Sequence, residues 1–309
     1  MLSKVAERVY WTARYLERVE NTARLIGVYD KLLFDLPRDV HVGWYNLIVI
    51  NGAEQAFNER FSVQSERNVI KFLLDDTSHF SSVVNSLKLV RENVRTTRDV
   101  VPADAWELVN ELSLFVAENI QQGINRSQRF EFLDGLIKGC QQIHGLIYGT
   151  MPHDDAWYFM RMGRNLERTD MTTRILDAGT AAALHTDEAD VGLNARQIIW
   201  GNVLRSVGAE QAYRRATRSA VNGQDVIRYL VESPAYPRAI QHCLNALIDS
   251  ASHLPRSKAV QDRFSAASKK ILKNIDYSVL GEPIRDYLND AQLELASLHE
   301  VIAANWFAG

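Results

Sequence analysis

The chain has 309 residues, of which 46% are hydrophobic and 24% are charged, an ordinary balance for a globular protein. Its formal net charge of -3 carries no basic excess, which argues against an electrostatic nucleic-acid-binding surface. No apolar stretch approaches the roughly 18 residues that a membrane-spanning helix needs. Charged residues also interrupt the N-terminal segment where a secretory signal would be apolar, so we expect a cytoplasmic protein.

Apolar residues recur at intervals of three and four along the chain, whereas the alternation typical of strands is scarce, and this predicts an all-α fold. Pro102 and Pro283 mark helix starts, and Pro152 lies in a short linker. The longest predicted loop near the middle is 185–195. In chain order, the uninterrupted predicted helices cover residues 3–34, 41–60, 103–121, 128–149, 154–183, 194–218, 257–275 and 282–306. Two further helices begin near residues 68 and 225, and each is predicted to be broken, at 75–81 and at 232–237 respectively.

Two predicted helices carry the same polar motif, since RYLERVENTAR at 14–24 and RNLERTDMTTR at 164–174 are identical at six of eleven positions. Other matches follow in the same order: GAEQAF at 52–57 with GAEQAY at 208–213, NVIKFLLDD at 68–76 with DVIRYLVES at 225–233, and His144 with His299. Ordered matches of this kind predict a tandem duplication. We expect residues 1–150 and 151–309 to be homologous halves, packed with pseudo-twofold symmetry into one helical bundle.

Within each motif the polar residues are spaced by three and four, so they share one broad side of the helix. Glu20 lies four residues before Arg24, and Asp170 four before Arg174, which predicts structural ion pairs within each helix. Arg14 and Glu17 are also within reach of each other, as are their counterparts in the second motif.

Three interpretations of the motif stay open. Interlocked ion pairs could fix the register between helices and between halves, because buried charges must be paired. Alternatively, two arginine-rich clusters could bind an anion such as a carboxylate or a phosphate, with Glu17 and Glu167 as candidate catalytic carboxylates. A solvated helix face is the third. The candidate anion- or substrate-binding residues are Arg14, Arg18, Asn21, Arg24, Arg164, Arg168 and Arg174.

Motifs of familiar chemistry are absent from the sequence. It contains no Glu-x-x-His pair, no Gly-rich phosphate loop and no Gly-x-Ser-x-Gly elbow, so we predict no metal and no cofactor. Cys140 and Cys243 are predicted to be buried thiols, and His144 and His299 to lie in the core or between helices. The Gly-Ala-Glu-Gln-Ala segments are predicted to contact the motif helices, with a share in a polar pocket as the alternative.

MLSKVAERVYWTARYLERVENTARL at 1–25, together with GRNLERTDMTTRILD at 163–177, strongly resembles the bacterial Alpha-E family, which is named for its α-helical fold and Glu-Arg motif. The resemblance spans essentially the whole chain. A mild departure is Thr169-Asp170-Met171 in the second copy, where the first has Val19-Glu20-Asn21. Family members look like companions of circularly permuted ATP-grasp ligases, with transglutaminase-like peptidases in the same gene sets. The resemblance therefore implies a setting of ATP-dependent amide-bond formation on a small peptide.

From this setting we derive three hypotheses. The first is a non-catalytic accessory protein that binds the ATP-grasp ligase or presents its peptide substrate. The second is an enzyme of unknown reaction, whose paired Glu-Arg pocket acts on a peptide or carboxylate substrate. The third is a self-assembling helical oligomer. The sequence leaves open the substrate, the partner-binding face and the oligomeric state.

Overall fold

A computed structural model describes residues 1–36, 42–184, 190–273 and 275–308, and the regular structure within these ranges is helical, which confirms the all-α prediction. A 3-10 turn at Arg126–Gln128 precedes α7, and a π-helical turn at Ala303–Phe307 extends α14. None of the helices in these ranges is long and apolar enough to cross a bilayer. The helices are α1 (Ser3–Asp35), α2 (Asn46–Ile50), α3 (Glu54–Asn58), α4 (Glu66–Asp75), α5 (Val83–Arg95), α6 (Ala103–Ile124), α7 (Arg129–Thr150), α8 (Asp155–Leu184), α9 (Asp190–Ser206), α10 (Glu210–Thr217), α11 (Gly223–Glu232), α12 (Ile240–Ser252), α13 (Lys258–Ile271) and α14 (Glu282–Ile302).

The two longest helices, α1 and α8, pack against each other at the centre of the bundle. Helix α1 also packs on α5 and α7, while α8 packs on α12 and α14. The Met1 ammonium lies 3.5 Å from Asp155, and further along Tyr10 meets Gly163, so the two helices run side by side in the same direction. Because other helices pack around both α1 and α8, the polar side chains of these two helices lie inside the bundle, except where a space between the surrounding helices exposes them.

Short polar side chains begin several of the surrounding helices, as the caps of α-helices require. Ser65 and Ser82 accept hydrogen bonds from backbone amides in the first turns of α4 and α5, and Asn222 does the same for α11. The Asp154 carboxylate accepts from the amides of Ala156 and Trp157 at the start of α8. The predicted linker before α8 and the breaks after α4 and α11 are thereby confirmed.

The predictions of single helices over 41–60 and 194–218 are wrong. Each segment is broken at a glycine with a positive φ, +61° at Gly52 and +69° at Gly208, which other residues adopt at a cost. The breaks separate α2 from α3 and α9 from α10. Of the predicted loop 185–195, residues 185–189 lie outside the described residues, and residues 190–195 belong to α9. The predicted helix 257–275 is also too long, since α13 ends at Ile271.

The central packing leaves no space for a side chain at Gly163. A Cβ there would overlap the backbone carbonyl oxygen of Tyr10, which belongs to α1. A glycine at this position therefore lets α1 and α8 approach closely enough for their polar side chains to meet.

Both cysteines, Cys140 and Cys243, are buried free thiols, as predicted, and burial raises the pKa of Cys243 to about 11.

We expect Gly163→Ala to lower the free energy of unfolding by about 1–3 kcal/mol, because the added methyl group must push α1 and α8 apart. Urea denaturation followed by circular dichroism measures this change. Gly145→Ala is the matched control, since a Cβ at that exposed helical position meets no heavy atom within 4 Å. It is expected to stabilise the protein by about 0.5–1 kcal/mol. Equal effects of the two substitutions would contradict close packing at Gly163.

Candidate functional site

The glutamate of each motif is bound by the arginines of the other motif. Glu167 of α8 accepts from Arg14 Nε, which lies 2.8 Å from Oε2. It also accepts two hydrogen bonds from Arg18, with Nε 2.7 Å from Oε1 and Nη2 3.1 Å from Oε2. Such fork-shaped pairing uses the planar geometry that guanidinium and carboxylate share.

Glu17 of α1 receives the reciprocal contacts from α8. Arg164 Nε donates to its Oε2 over 3.1 Å, and Arg168 Nε lies 2.9 Å from its Oε1. A third guanidinium, Arg238 in the segment before α12, places Nη1 2.6 Å from Oε1 of Glu17. Arg14, Glu17 and Arg18 of α1, with Arg164, Glu167 and Arg168 of α8, thus form one Glu-Arg network across the central pair of helices.

The remaining predicted residues flank this network. The helix-internal ion pairs are present, Arg24 to Glu20 at 2.7 Å and Arg174 to Asp170 at 2.9 Å. Asn21 is buried, and its Oδ1 accepts from Arg238 Nη1 over 2.5 Å. The motif arginines Arg14 and Arg164 do not pair with the glutamate three residues further along their own helix, because that glutamate is turned toward the opposite helix.

Sequence reasoning missed Arg238, which lies outside both motifs. This buried arginine contacts Glu17 and also Glu20, where Nη2 lies 2.9 Å from Oε1. A comparison of the paired segments 68–76 and 225–233 could have found it, since extending that pairing by five residues aligns Arg238 with Ser81. The hydroxyl of Ser81 accepts from Arg18 Nη1 over 3.0 Å, so both positions contact the network.

The arginines fix the protonation state of both glutamates. Burial alone would raise the pKa of Glu167, but Arg18 and Arg14 outweigh it and hold that pKa at about 2. Burial opposes ionisation of Glu17 in the same way, and Arg168, Arg238 and Arg164 keep its pKa well below the usual range. A general base works best with a pKa near the operating pH. Neither carboxylate is therefore poised for acid–base catalysis at neutral pH.

The two paired histidines lie beside the network. His144 is buried, and its Nε2 is 3.7 Å from Glu17 Oε2, too far for a hydrogen bond. Burial and the nearby Arg164 lower the pKa of His144 well below its ordinary value, so this imidazole is neutral. His299 Nδ1 lies 2.9 Å from the Tyr10 hydroxyl, which places it between α14 and α1, as predicted.

Glu17, Glu20 and His144 place potential ligand atoms within 4.8 Å of one another, a spacing that could hold a metal ion. Four guanidinium groups surround the same two carboxylates, from Arg24, Arg164, Arg168 and Arg238. A cation placed there would compete with four positive charges for oxygens that already bind them. These residues do not fit a metal centre.

Three cavities open beside the network. The first cavity, about 330 Å³, is lined by Arg14, Arg18, Arg174, Gly52 and His299, among others. The second cavity, about 560 Å³, is lined by Arg24, Arg164, Arg168, Arg238 and His144, and by Gly208. The third cavity, called the apolar cavity for its apolar side, measures about 410 Å³ and adjoins the second. Its apolar side includes Leu16, Ile147, Trp157 and Met160, and its polar side includes His144, Arg161, Arg164 and Arg168.

The glycines of the two Gly-Ala-Glu-Gln-Ala segments contact the motif helices. A Cβ at Gly52 would lie 2.8 Å from Nη1 of Arg174, and one at Gly208 would lie 4.0 Å from Nη1 of Arg24. Each glycine therefore touches the motif arginine at the edge of a cavity. The segments provide contacts to the motif helices, and through Gly52 and Gly208 they also form part of two polar cavities.

Comparison with known proteins identifies the motif. The model of the family Alpha-E, described as a predicted alpha-helical domain with a conserved ER motif, matches residues 1–307. Uncharacterized proteins of Mycobacterium bovis and of two Mycobacterium tuberculosis strains are each 22% identical over 276 residues, which is 82% of this chain. The match covers 30% of each relative, so the chain spans less than a third of their length. No solved structure matches the chain.

We expect Glu167→Gln to lower the free energy of unfolding by about 3–5 kcal/mol at pH 7, because it leaves the largely covered guanidinium groups of Arg14 and Arg18 without their counter-charge. The pKa of Glu167 lies at about 2 in the folded protein, below the ordinary glutamate value of 4.5. Its charge therefore stabilises the fold above pH 4.5, and this contribution is lost as the pH falls through 2. The loss amounts to ~3 kcal/mol. Between pH 4.5 and pH 2, the free energy of unfolding of Glu167→Gln should therefore fall less than that of the wild type.

Urea unfolding at a series of pH values measures both effects. Glu92→Gln is the control, since Glu92 forms an exposed ion pair with Arg95 and its removal should change stability little. If Glu167→Gln left both the neutral stability and the acid slope unchanged, the structural role of the network would be refuted.

Proposed function

The chain belongs to the Alpha-E family, and on that premise we propose that it is a non-catalytic accessory protein that presents a peptide or carboxylate substrate to an ATP-grasp amide ligase. One observation carries this proposal: both glutamates of the conserved motif are buried and bound by arginines. The motif then serves to lock two helices together and to place arginines at cavity walls. The chemical step is left to the partner, and the pair would act in the cytoplasm, where ATP is abundant.

The length of the mycobacterial relatives supports a role beside other machinery. About 70% of each relative lies outside the matched region, so in those proteins the region similar to this chain is joined to a large amount of further sequence. A fold that is covalently joined to other segments in some proteins is suited to associate with a separate partner protein where it occurs without them. A transglutaminase-like peptidase is a second partner in this proposal.

The cavities support binding of a small anionic ligand. Their volumes fall within the roughly 300–1,000 Å³ typical of ligand pockets, and arginines line each polar cavity. Guanidinium groups bind carboxylates through paired hydrogen bonds, so these walls suit the terminal carboxylate of a peptide. The alternative of a Glu-Arg enzyme requires a carboxylate that gains and loses a proton near neutral pH, which the pKa of Glu167 opposes.

We also infer that residues 1–150 and 151–309 are copies of one ancestral unit packed as one compact body. The reciprocal contacts support this, because Arg14 and Arg18 bind Glu167 while Arg164 and Arg168 bind Glu17. Packing supports it too: α1 is flanked by α5 and α7 as α8 is by α12 and α14. An ancestral homodimer with these exchanged ion pairs would have had a self-complementary interface.

We expect the purified chain to co-elute with an ATP-grasp ligase from the same organism and to increase ATP-dependent amide formation severalfold. Size-exclusion chromatography measures the complex, and mass spectrometry of the product measures ligation. The chain alone is expected to form no product, and an equal mass of an unrelated helical protein controls for non-specific stabilisation. Absence of a complex together with an unchanged ligation rate would overturn the accessory role, and turnover by the isolated chain would favour an enzyme instead.

A further inference from the structure

The first and second cavities differ in charge although they are built from matching residues. In the first cavity Arg14, Arg18 and Arg174 face Glu167, Asp170 and Glu300, so positive and negative groups balance. In the second, the acidic groups that the described residues bring to four arginines are Glu20 and the adjoining Glu17. His144 adds no charge because burial keeps its pKa low. The second cavity therefore has two positive charges in excess.

Two sequence differences between the halves create this excess. Arg238 stands where the paired segment of the first half has Ser81, which adds a guanidinium. Gly145 follows His144, whereas Glu300 follows the matching His299, so the second cavity lacks the carboxylate that Glu300 gives the first. Both differences change the charge in the same direction.

Two arginines of the second cavity, Arg164 and Arg168, also keep donors free for a ligand. All three nitrogens of Arg18 in the first cavity are occupied, two by Glu167 and one by Ser81. Within the described part of the chain, Arg164 donates only through Nε, and Arg168 Nη1 reaches Pro237 O only over 3.5 Å. The buried Nε2 of His144 likewise has no hydrogen-bond partner among these residues.

An apolar cavity lies directly beside these donors. It shares Arg164, Arg168 and His144 with the second cavity, and Ile147, Trp157 and Met160 form its apolar side. A ligand that spans both cavities must combine an anionic group with an adjacent apolar group. A bare phosphate would leave the apolar side uncovered, whereas the last residue of a peptide offers both groups on one carbon.

We propose that the second cavity and the apolar cavity together bind the C-terminal carboxylate of a peptide whose last side chain is apolar, with Arg164 and Arg168 holding the carboxylate. This inference names the substrate class of the proposed accessory function and rests on it. Arg238 and Arg24 position these donors indirectly by occupying Glu17 and Glu20. The first cavity, which is electrically balanced, would not bind the same ligand.

Isothermal titration calorimetry of the full chain with N-acetyl-phenylalanine tests the proposal. We expect one site per chain, no heat from N-acetyl-phenylalaninamide, which lacks the charge, and at least tenfold weaker binding of inorganic phosphate, which lacks the apolar group. Equal binding of the acid and the amide would overturn the role of the arginines. Binding of phosphate as tight as that of the acid would overturn the role of the apolar cavity.

Gly145→Glu is the decisive variant, because it introduces into the second cavity the carboxylate that the first cavity has at Glu300. A Cβ at Gly145 meets no heavy atom within 4 Å, so the fold should tolerate the side chain. We expect affinity for N-acetyl-phenylalanine to fall at least tenfold, which equals about 1.4 kcal/mol. Gly145→Gln has the same shape without the charge and should retain affinity within about threefold, while Glu300→Gln in the first cavity should leave binding unchanged.

Unchanged affinity in Gly145→Glu, or a site lost in Glu300→Gln, would place the ligand elsewhere and overturn the inference. Calorimetry on the isolated chain is independent of the ligase experiment. Binding without any effect on ligation would refute the accessory function and leave the ligand assignment standing, whereas a functional complex without peptide binding would do the reverse.

Discussion

The structure depends on a reciprocal exchange of ion pairs between α1 and α8. Each helix brings one buried glutamate to its partner's pair of arginines, and neither helix could bury its own charges without the other. Removing ions from water costs several kcal/mol each, so such charges persist only where partners are held in register. The exchange therefore fixes the relative position of α1 and α8, and the helices packed around them follow.

Close approach is the second requirement, and it explains why small residues accompany the motif. Guanidinium groups reach across to a carboxylate at 2.7–3.1 Å only if the helix axes stay near each other. Gly163 allows this at Tyr10, and Gly52 leaves room for Arg174 beside the network. Gly208 similarly adopts a positive φ and lies beside the guanidinium group of Arg24. The charges and the glycines are thus parts of one packing solution.

Much of this was accessible from the sequence, and the rest was not for definite physical reasons. Spacing by three and four correctly predicted long helices at α1 and α8 and the ion pairs Glu20–Arg24 and Asp170–Arg174, because these are local. The same spacing could not say whether Glu17 pairs with Arg14 or with the opposite helix, since that depends on tertiary packing. The glycine breaks at Gly52 and Gly208 were missed because helical composition on both sides masked a single positive φ. Arg238 lies in an irregular segment, where periodicity carries no information.

The difference between the two cavities bears on why a buried network of charges is retained at all. Well-packed apolar residues often stabilise a core as well as a buried ion pair does, so stability alone gives little reason to keep the Glu-Arg network between α1 and α8. Around Glu167 the positive and negative charges balance, so that part of the network needs no further ion. Around Glu17 the arginines exceed the carboxylates. Burial, and after it the neighbouring Arg168, lower the pKa of Arg164. An anion bound there, as proposed above, would offset the excess positive charge, and ligand binding and stability would then be linked through the same side chains. The proposed binding role therefore belongs to the second cavity, to which residues before and after position 150 both contribute, while the balanced set around Glu167 holds α1 and α8 in place.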